Sequence, residues 1–172
     1  MIVLGVDPGM AALGWGVVTF EGGRLAHVAH GVIKTERRTG LSRGRDLAAR
    51  AEEMGGLLGA LLDRQRPEAV GIEAFAYYGK PVPSALQLAN VCGAVREAAR
   101  ARGMILGEYR ACDWHRAIFG TAKGTKAQVA GAVARALRLP ENPRPEHAAD
   151  ALAVAICHAL RAPFLAAVAR GR

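Results

Sequence analysis

Asp7, Glu73, His147 and Asp150 are the residues of this chain best suited to do chemistry. The sequence holds only 15 acidic residues, so a carboxylate placed at the end of an apolar strand is informative. Asp7 follows the run Ile2 to Val6, and Glu73 follows Ala69 to Ile72. If those two strands are parallel neighbours, both acids emerge at one sheet edge. Asp150 lies within an apolar helical stretch, where a carboxylate is costly to bury unless it is paired or metal-bound. His147, three residues earlier, shares its helix face. Oxygen donors suit magnesium or manganese, the imidazole shifts the preference towards manganese, and nothing resembles a thiolate site. Two such ions about 4 Å apart could activate a water and stabilise the leaving oxygen in an in-line attack on phosphate. Each residue alone also has a plainer reading: Asp7-Pro8-Gly9 as a turn, Glu73 as a surface acid, His147 and Asp150 as a cap and a buried ion pair. The four together favour chemistry.

The elements that must position these groups follow from hydropathy patterning. Ile2 to Val6 suits a buried central strand. Leu13 to Phe20 and Arg24 to Thr35 read as two more, joined through Glu21-Gly22-Gly23 as a hairpin, so the first three strands form an antiparallel meander. From Ser42, a plausible cap, Leu47, Met54, Leu57, Leu58, Leu61 and Leu62 recur as on one helix face, and Pro67 ends that helix. Ala69 to Ile72 is a short buried strand, and a helix from about Pro83 to Arg102 follows. Met104 to Tyr109 is a fifth strand, with helical stretches at Trp114 to Phe119 and Thr125 to Leu137. After Pro140, Pro143 and Pro145, a largely buried helix runs from about Glu146 to Leu160, and the tail beyond Pro163 is expected to fray. Strands then alternating helix and strand imply an α/β fold: a five-stranded mixed sheet flanked by helices. A single domain over residues 1–165 is expected, with 166–172 as a frayed tail.

Bulk properties narrow the partners. With 172 residues and 51% apolar content the chain can bury one sizeable core. Its formal charge of +8 and pI near 10.1 favour a polyanion, nucleic acid first. No run approaches the roughly 18 apolar residues of a membrane span, and the N-terminus lacks the features of an export signal, so a cytoplasmic protein without a membrane partner is expected. Cys92, Cys112 and Cys157 are widely separated and odd in number, and read as reduced, mostly buried thiols.

The segments VLGVDPG…GWGV, GIEAF, SALQLANVCGAV and NPRPEHAADALAVAICH occur in the order found in the RuvC family of bacterial Holliday-junction resolvases, which the chain resembles over about residues 1–160. The resemblance implies a ribonuclease-H-like fold, a homodimer, symmetric hydrolysis of two opposing strands of a four-way DNA junction, and delivery by a branch-migration helicase complex of the RuvA and RuvB type. It implies that Asp7, Glu73 and Asp150 match three family carboxylates, with His147 standing where many members have a fourth aspartate. Imidazole also binds divalent metals, so neutral His147 is expected to ligate metal or position the water. Magnesium or manganese, two ions per subunit, is the implied cofactor.

The family places an aromatic wedge shortly after the second acid. Phe75, Tyr77 and Tyr78 are the candidates; counting back from Ser84 and Lys80 points to Tyr77, while counting forward from Glu73 disagrees by one inserted residue. An exposed aromatic in a loop with Gly79 and Pro81 suits stacking on an unpaired base; Pro81 stands where an asparagine is usual. Lys126 fits a family basic position at the start of a helix, where phosphate also meets backbone amides. Lys123 could assist it. Another family lysine falls at His115, beside Arg116. Leu86, Leu88 and Val91 belong to the helix that would pack two subunits together, or to the internal core.

Three rival readings differ in class. An actin-like ATPase fragment, suggested by Asp7-Pro8-Gly9 with Gly14 and Gly16, needs a second domain for which this chain is too short. A catalytically silent junction-binding module gains nothing from acids aimed at phosphate. A single-strand or RNA nuclease of the same fold is the nearest rival among enzymes.

Overall fold

The computed structural model describes residues 1–74 and 82–170, without the side chains of 82–84, 163 and 165–170. Tyr77, Tyr78 and Lys80, with Phe75 and Pro81, therefore lie outside the described residues.

Strands β1 (Ile2–Asp7), β2 (Ala12–Glu21) and β3 (Arg24–Lys34) form the expected antiparallel meander, turned at Gly22 and Gly23, both at positive φ. β4 (Ala69–Glu73) and β5 (Ile105–Tyr109) extend it in parallel on the other side of β1, in the order β3-β2-β1-β4-β5. Helices α1 (Arg43–Gln65) and α2 (Val82–Ala101) cover one face, where Met54, Leu58, Leu62, Val91 and Val95 pack on Leu4, Val6 and Ile72. Helices α3 (Ala111–Phe119), α4 (Lys126–Leu137) and α5 (Glu146–Arg170) cover the other, where Trp114, Val129, Val133, Leu152 and Ile156 pack on Val3 and Val18.

Two expectations are corrected, and one open choice is narrowed. Ser42 stands at the N-cap position of α1, but its side chain makes no capping hydrogen bond. The last helix does not end near Leu160 but runs through Pro163 to Arg170, because a helical proline forfeits one backbone hydrogen bond without ending the turns on either side. Val91 is 2% exposed and belongs to the internal core, whereas Leu86, on the same helix, is 59% exposed and Leu88 half-buried. No described helix is long and apolar enough to cross a membrane.

What sets α5 against the sheet is a row of glycines in register across four strands: Gly16 opposite Gly5, Gly5 opposite Gly71, and Gly71 opposite Gly107. At Gly5 an added Cβ would lie 2.0 Å from the Ala151 carbonyl oxygen and 2.5 Å from the Ala155 nitrogen. Helix backbone thus rests directly on strand backbone, and the alanines of α5 complete the close approach.

At the far end of this row His158 is fully buried, sharing a hydrogen bond of 2.7 Å with the Tyr109 hydroxyl. Burial pushes the imidazole down from 6.5 to about 4, and the phenol up to about 12. The folded chain keeps His158 neutral at a pH where the unfolded chain protonates it. Stability is accordingly full above the unfolded value and drains as pH falls towards about 4, by up to roughly 3 kcal/mol. Urea denaturation at stepped pH measures this loss. At neutral pH Tyr109→Phe, which strips one partner from the buried pair, is expected to destabilise by about 1–3 kcal/mol.

Candidate active site

β1 and β4 are parallel neighbours with Val6 opposite Ile72, so Asp7 and Glu73 leave the sheet side by side at one edge. The start of α5 is held over that edge by Gly14, the strand partner of Asp7: a Cβ there would lie 2.1 Å from the His147 carbonyl oxygen. This contact brings the first turn of α5, with His147 and Asp150, to the same place. Asp7, Glu73, His147 and Asp150 accordingly line one hollow of about 470 Å³, together with Ala111, Trp114, His115, Gly124, Thr125, Lys126 and Val129.

The acids are drawn into pairs. His147 Nδ1 lies 2.7 Å from Asp7 Oδ2. In the neutral ring this is a donation from Nδ1–H, which selects the tautomer and leaves the Nε2 lone pair available. Lys126 Nζ donates to Asp150 Oδ2. The Asp150 side chain is 3% exposed and that of Lys126 57%, so the ammonium reaches inward from the rim. Burial raises the Asp7 carboxyl above the ordinary aspartate value; the hydrogen bond and charge of His147 oppose the rise, Asp150 adds to it and Lys126 subtracts. Burial alone would lower Lys126, but its hydrogen bond to Asp150 and the charges of Asp150, Asp7 and Glu73 hold it above the ordinary lysine value.

Among the described residues no three acid, histidine or cysteine side chains stand together as a ready-made cation site. Asp150 turns instead to the Lys126 ammonium, and Asp7 to the His147 imidazole. The residues nonetheless fit a hard divalent ion. Three carboxylates and an imidazole share one hollow, and Asp150 Oδ1 is buried without any hydrogen-bond partner. A buried oxygen left this way is expensive, and a cation would satisfy it.

The other residues singled out from sequence separate. His115 lines the hollow, donating from Nδ1 to the Ala122 carbonyl at 3.1 Å, with its ring against Trp114 and Phe119. Arg116 is exposed and does not line it. Lys123 lines an adjoining hollow with Phe119, Gln128 and Arg135. Lys126 reaches into the site from its rim. Sequence reading missed Trp114, which closes one wall, and Thr125, which starts α4. Thr125 and Gln128 form a capping box, with Thr125 N–H donating to Gln128 Oε1 at 2.8 Å and Gln128 N–H donating to Thr125 Oγ1 at 3.3 Å. The Thr-x-x-Gln spacing was the available signal. It brings the amide-rich start of α4 to the hollow, a favourable setting for phosphate.

The family model described as crossover junction endodeoxyribonuclease RuvC matches residues 3–158. The crossover junction endodeoxyribonuclease RuvC of Sorangium cellulosum is 38% identical over 169 residues, covering 98% of this chain and 90% of its own. That of Citrifermentans bemidjiense is 39% identical over 159 residues, covering 92% of each. Among solved structures, Thermus thermophilus RuvC in complex with Holliday junction substrate superposes with a TM-score of 0.80 at 33% identity, covering 95% of this chain and 96% of that one. The yeast mitochondrial Holliday junction resolvase shares the fold alone, with a TM-score of 0.64 at 14% identity over 91% of this chain and 77% of its own.

Proposed function

We propose, from the premise that this chain belongs to the RuvC family of crossover junction endodeoxyribonucleases, that Asp7, Glu73, His147 and Asp150 are the catalytic residues with which it cuts Holliday junctions. The family is divalent-metal dependent. The observation that carries the assignment is the convergence of these four side chains, from two strand ends and one helix, on one hollow whose rim bears Lys126 and the start of α4.

The four residues would hold magnesium or manganese, two ions per subunit. Such ions, when bound, polarise the phosphate and lower the pKa of water. The chain's own groups do the rest. Neutral His147, anchored on Asp7, offers Nε2 to an ion or to the attacking water. The α4 amides and Lys126 would attract the scissile phosphate, Lys126 reaching it from its place beside Asp150. Lys123 and His115 extend the path of the backbone, with Arg116 at its edge. Tyr77 or Tyr78 stacks on a base opened at the junction centre, and Lys80 meets phosphate beside it. Hydrolysis leaves 5′-phosphate and 3′-hydroxyl ends.

Two symmetric cuts need two active sites, so the working form is a homodimer. The exposure of Leu86 on α2 and of Leu57, at 43%, on α1 supports packing through that face. A branch-migration helicase complex of the RuvA and RuvB type delivers the junction, and the reaction takes place with the chromosome in the cytoplasm.

Incubating the protein with a mobile four-way junction and with linear duplex, in magnesium, manganese or chelator, tests substrate and cofactor together. Metal-dependent cutting of the junction alone is expected; equal cutting of linear duplex would favour the general nuclease. Replacing the imidazole by a carboxylate in His147→Asp should change the pH profile of cleavage; an unchanged profile would deny His147 its role.

A further inference from the structure

We propose that Arg50, on α1, is a positioning residue for cleavage: with Thr35 it clamps the turn that follows Asp7. The inference rests on the reading of Asp7 as catalytic.

The turn Pro8 to Ala11 is the link by which Asp7 passes into β2. It is tightly wound, since a Cβ on Gly9 would lie 2.3 Å from the Ala12 carbonyl oxygen. Its outer corner is the Met10 carbonyl, and two donors hold it: Thr35 Oγ1 at 2.5 Å and Arg50 Nη2 at 3.2 Å. The Thr35 N–H also donates to the Ala11 carbonyl at 3.2 Å. Arg50 Nε donates to Thr35 Oγ1 at 3.1 Å and Nη2 to the Thr35 carbonyl at 3.3 Å, so one planar guanidinium ties the turn to the end of β3.

The clamp is built into the core. Thr35 is 4% exposed, Asp46 6% and Arg50 8%. Asp46 Oδ2 lies 3.8 Å from Arg50 Nη1 and balances its charge, while Asp46 Oδ1 accepts from the Arg38 N–H at 2.8 Å. A buried cation is an unusual device for stability alone, since an apolar side chain of similar volume fills such a space as well. A fork that aims three N–H bonds at two backbone carbonyls and a hydroxyl fixes orientation. The Asp7 side chain leans on exposed His147, so its place is set chiefly by its backbone, held by β1 on one side and by this turn on the other.

Thr35→Val keeps the shape and removes the hydroxyl, and Arg50→Lys keeps the charge opposite Asp46 and removes the fork. Each is compared with wild type in single-turnover cleavage of a four-way junction per folded molecule, well below its melting temperature. The junction dissociation constant, the manganese concentration for half-maximal rate and amide exchange at Gly9 and Met10 are measured alongside. The expected result is a rate loss of about ten- to a hundredfold at unchanged junction affinity, a higher manganese requirement and faster exchange in the turn. Arg50→Lys should recover melting temperature relative to Arg50→Met more fully than it recovers rate. A lower melting temperature with an unchanged rate per folded molecule would make the cluster merely structural and overturn the inference. If Asp7→Asn still cuts, the underlying reading fails; if Asp7→Asn is inactive while Thr35→Val and Arg50→Lys cut at full rate, the clamp alone fails.

Discussion

Asp7→Asn is expected to end junction cleavage, keep junction binding and raise the melting temperature. Amide and carboxylate have nearly the same shape, so the substitution removes charge and little else. With no charge to share in holding a divalent ion, several kcal/mol of transition-state stabilisation disappear, a loss of about a thousandfold or more in rate. Binding should survive because, on the proposed reading, it rests on Lys126, the start of α4 and neighbouring basic groups. The stability gain follows from the raised Asp7 pKa, whose first cause is burial. A raised carboxyl means the folded chain holds its proton more tightly than the unfolded chain. The associated stability is present below the unfolded value and is lost as pH rises through the folded one. At neutral pH the ionised group therefore burdens the fold, and Asn relieves it. A higher melting temperature is therefore the expected direction, read by calorimetry. Joint loss of cutting and binding would instead make Asp7 a structural acid.

The second large effect is on folding. Gly5→Ala adds one methyl group, but at a position where helix backbone occupies the space, 2.0 Å away at the Ala151 carbonyl oxygen. Neither β1 nor α5 can yield alone: β1 is the central strand, and α5 also rests on Gly14, Gly16 and Gly71. Lifting α5 would separate Asp150 and His147 from Asp7 and open the core beneath. The expected cost exceeds about 4 kcal/mol, enough to leave the variant largely unfolded. Gly56→Ala, on exposed α1 surface with open space around it, is the control and should stabilise by about 0.5–1 kcal/mol through helix propensity. Urea midpoints for the two variants decide the matter. A Gly5→Ala protein as stable as wild type would mean that α5 does not lie on the glycine row.

Much of the sheet was legible because strand signals are local. Ile2 to Val6 and Ala69 to Ile72 are continuous apolar runs, and the acids that end them stand out in a chain poor in carboxylates. The order β3-β2-β1-β4-β5 follows from a meander and two crossovers once those runs are recognised. The glycines were visible but not interpretable. Gly14 and Gly16 hinted at a phosphate loop, whereas their role is to admit α5, and no local pattern announces which strands will lie in register.

Nothing in their local sequence sets Arg50, Asp46 or His158 apart. Their burial depends on what packs opposite them. The lysine that reaches Asp150 was expected near phosphate, because a positive side chain at the start of a helix says nothing about an acid 24 residues later.

Hydropathy runs, charge and motif order, read along the chain, determined by themselves that this is a mixed α/β nuclease with acids at strand ends. Only the tertiary structure decided the company each group keeps: His147 on Asp7, Lys126 on Asp150, Arg50 on the Met10 carbonyl. The physical reason is range. Strands and helices arise from neighbours within a few residues, but a hydrogen bond across 140 positions exists only if a helix can settle within van der Waals contact of the sheet, and glycines placed in register across four strands permit that approach.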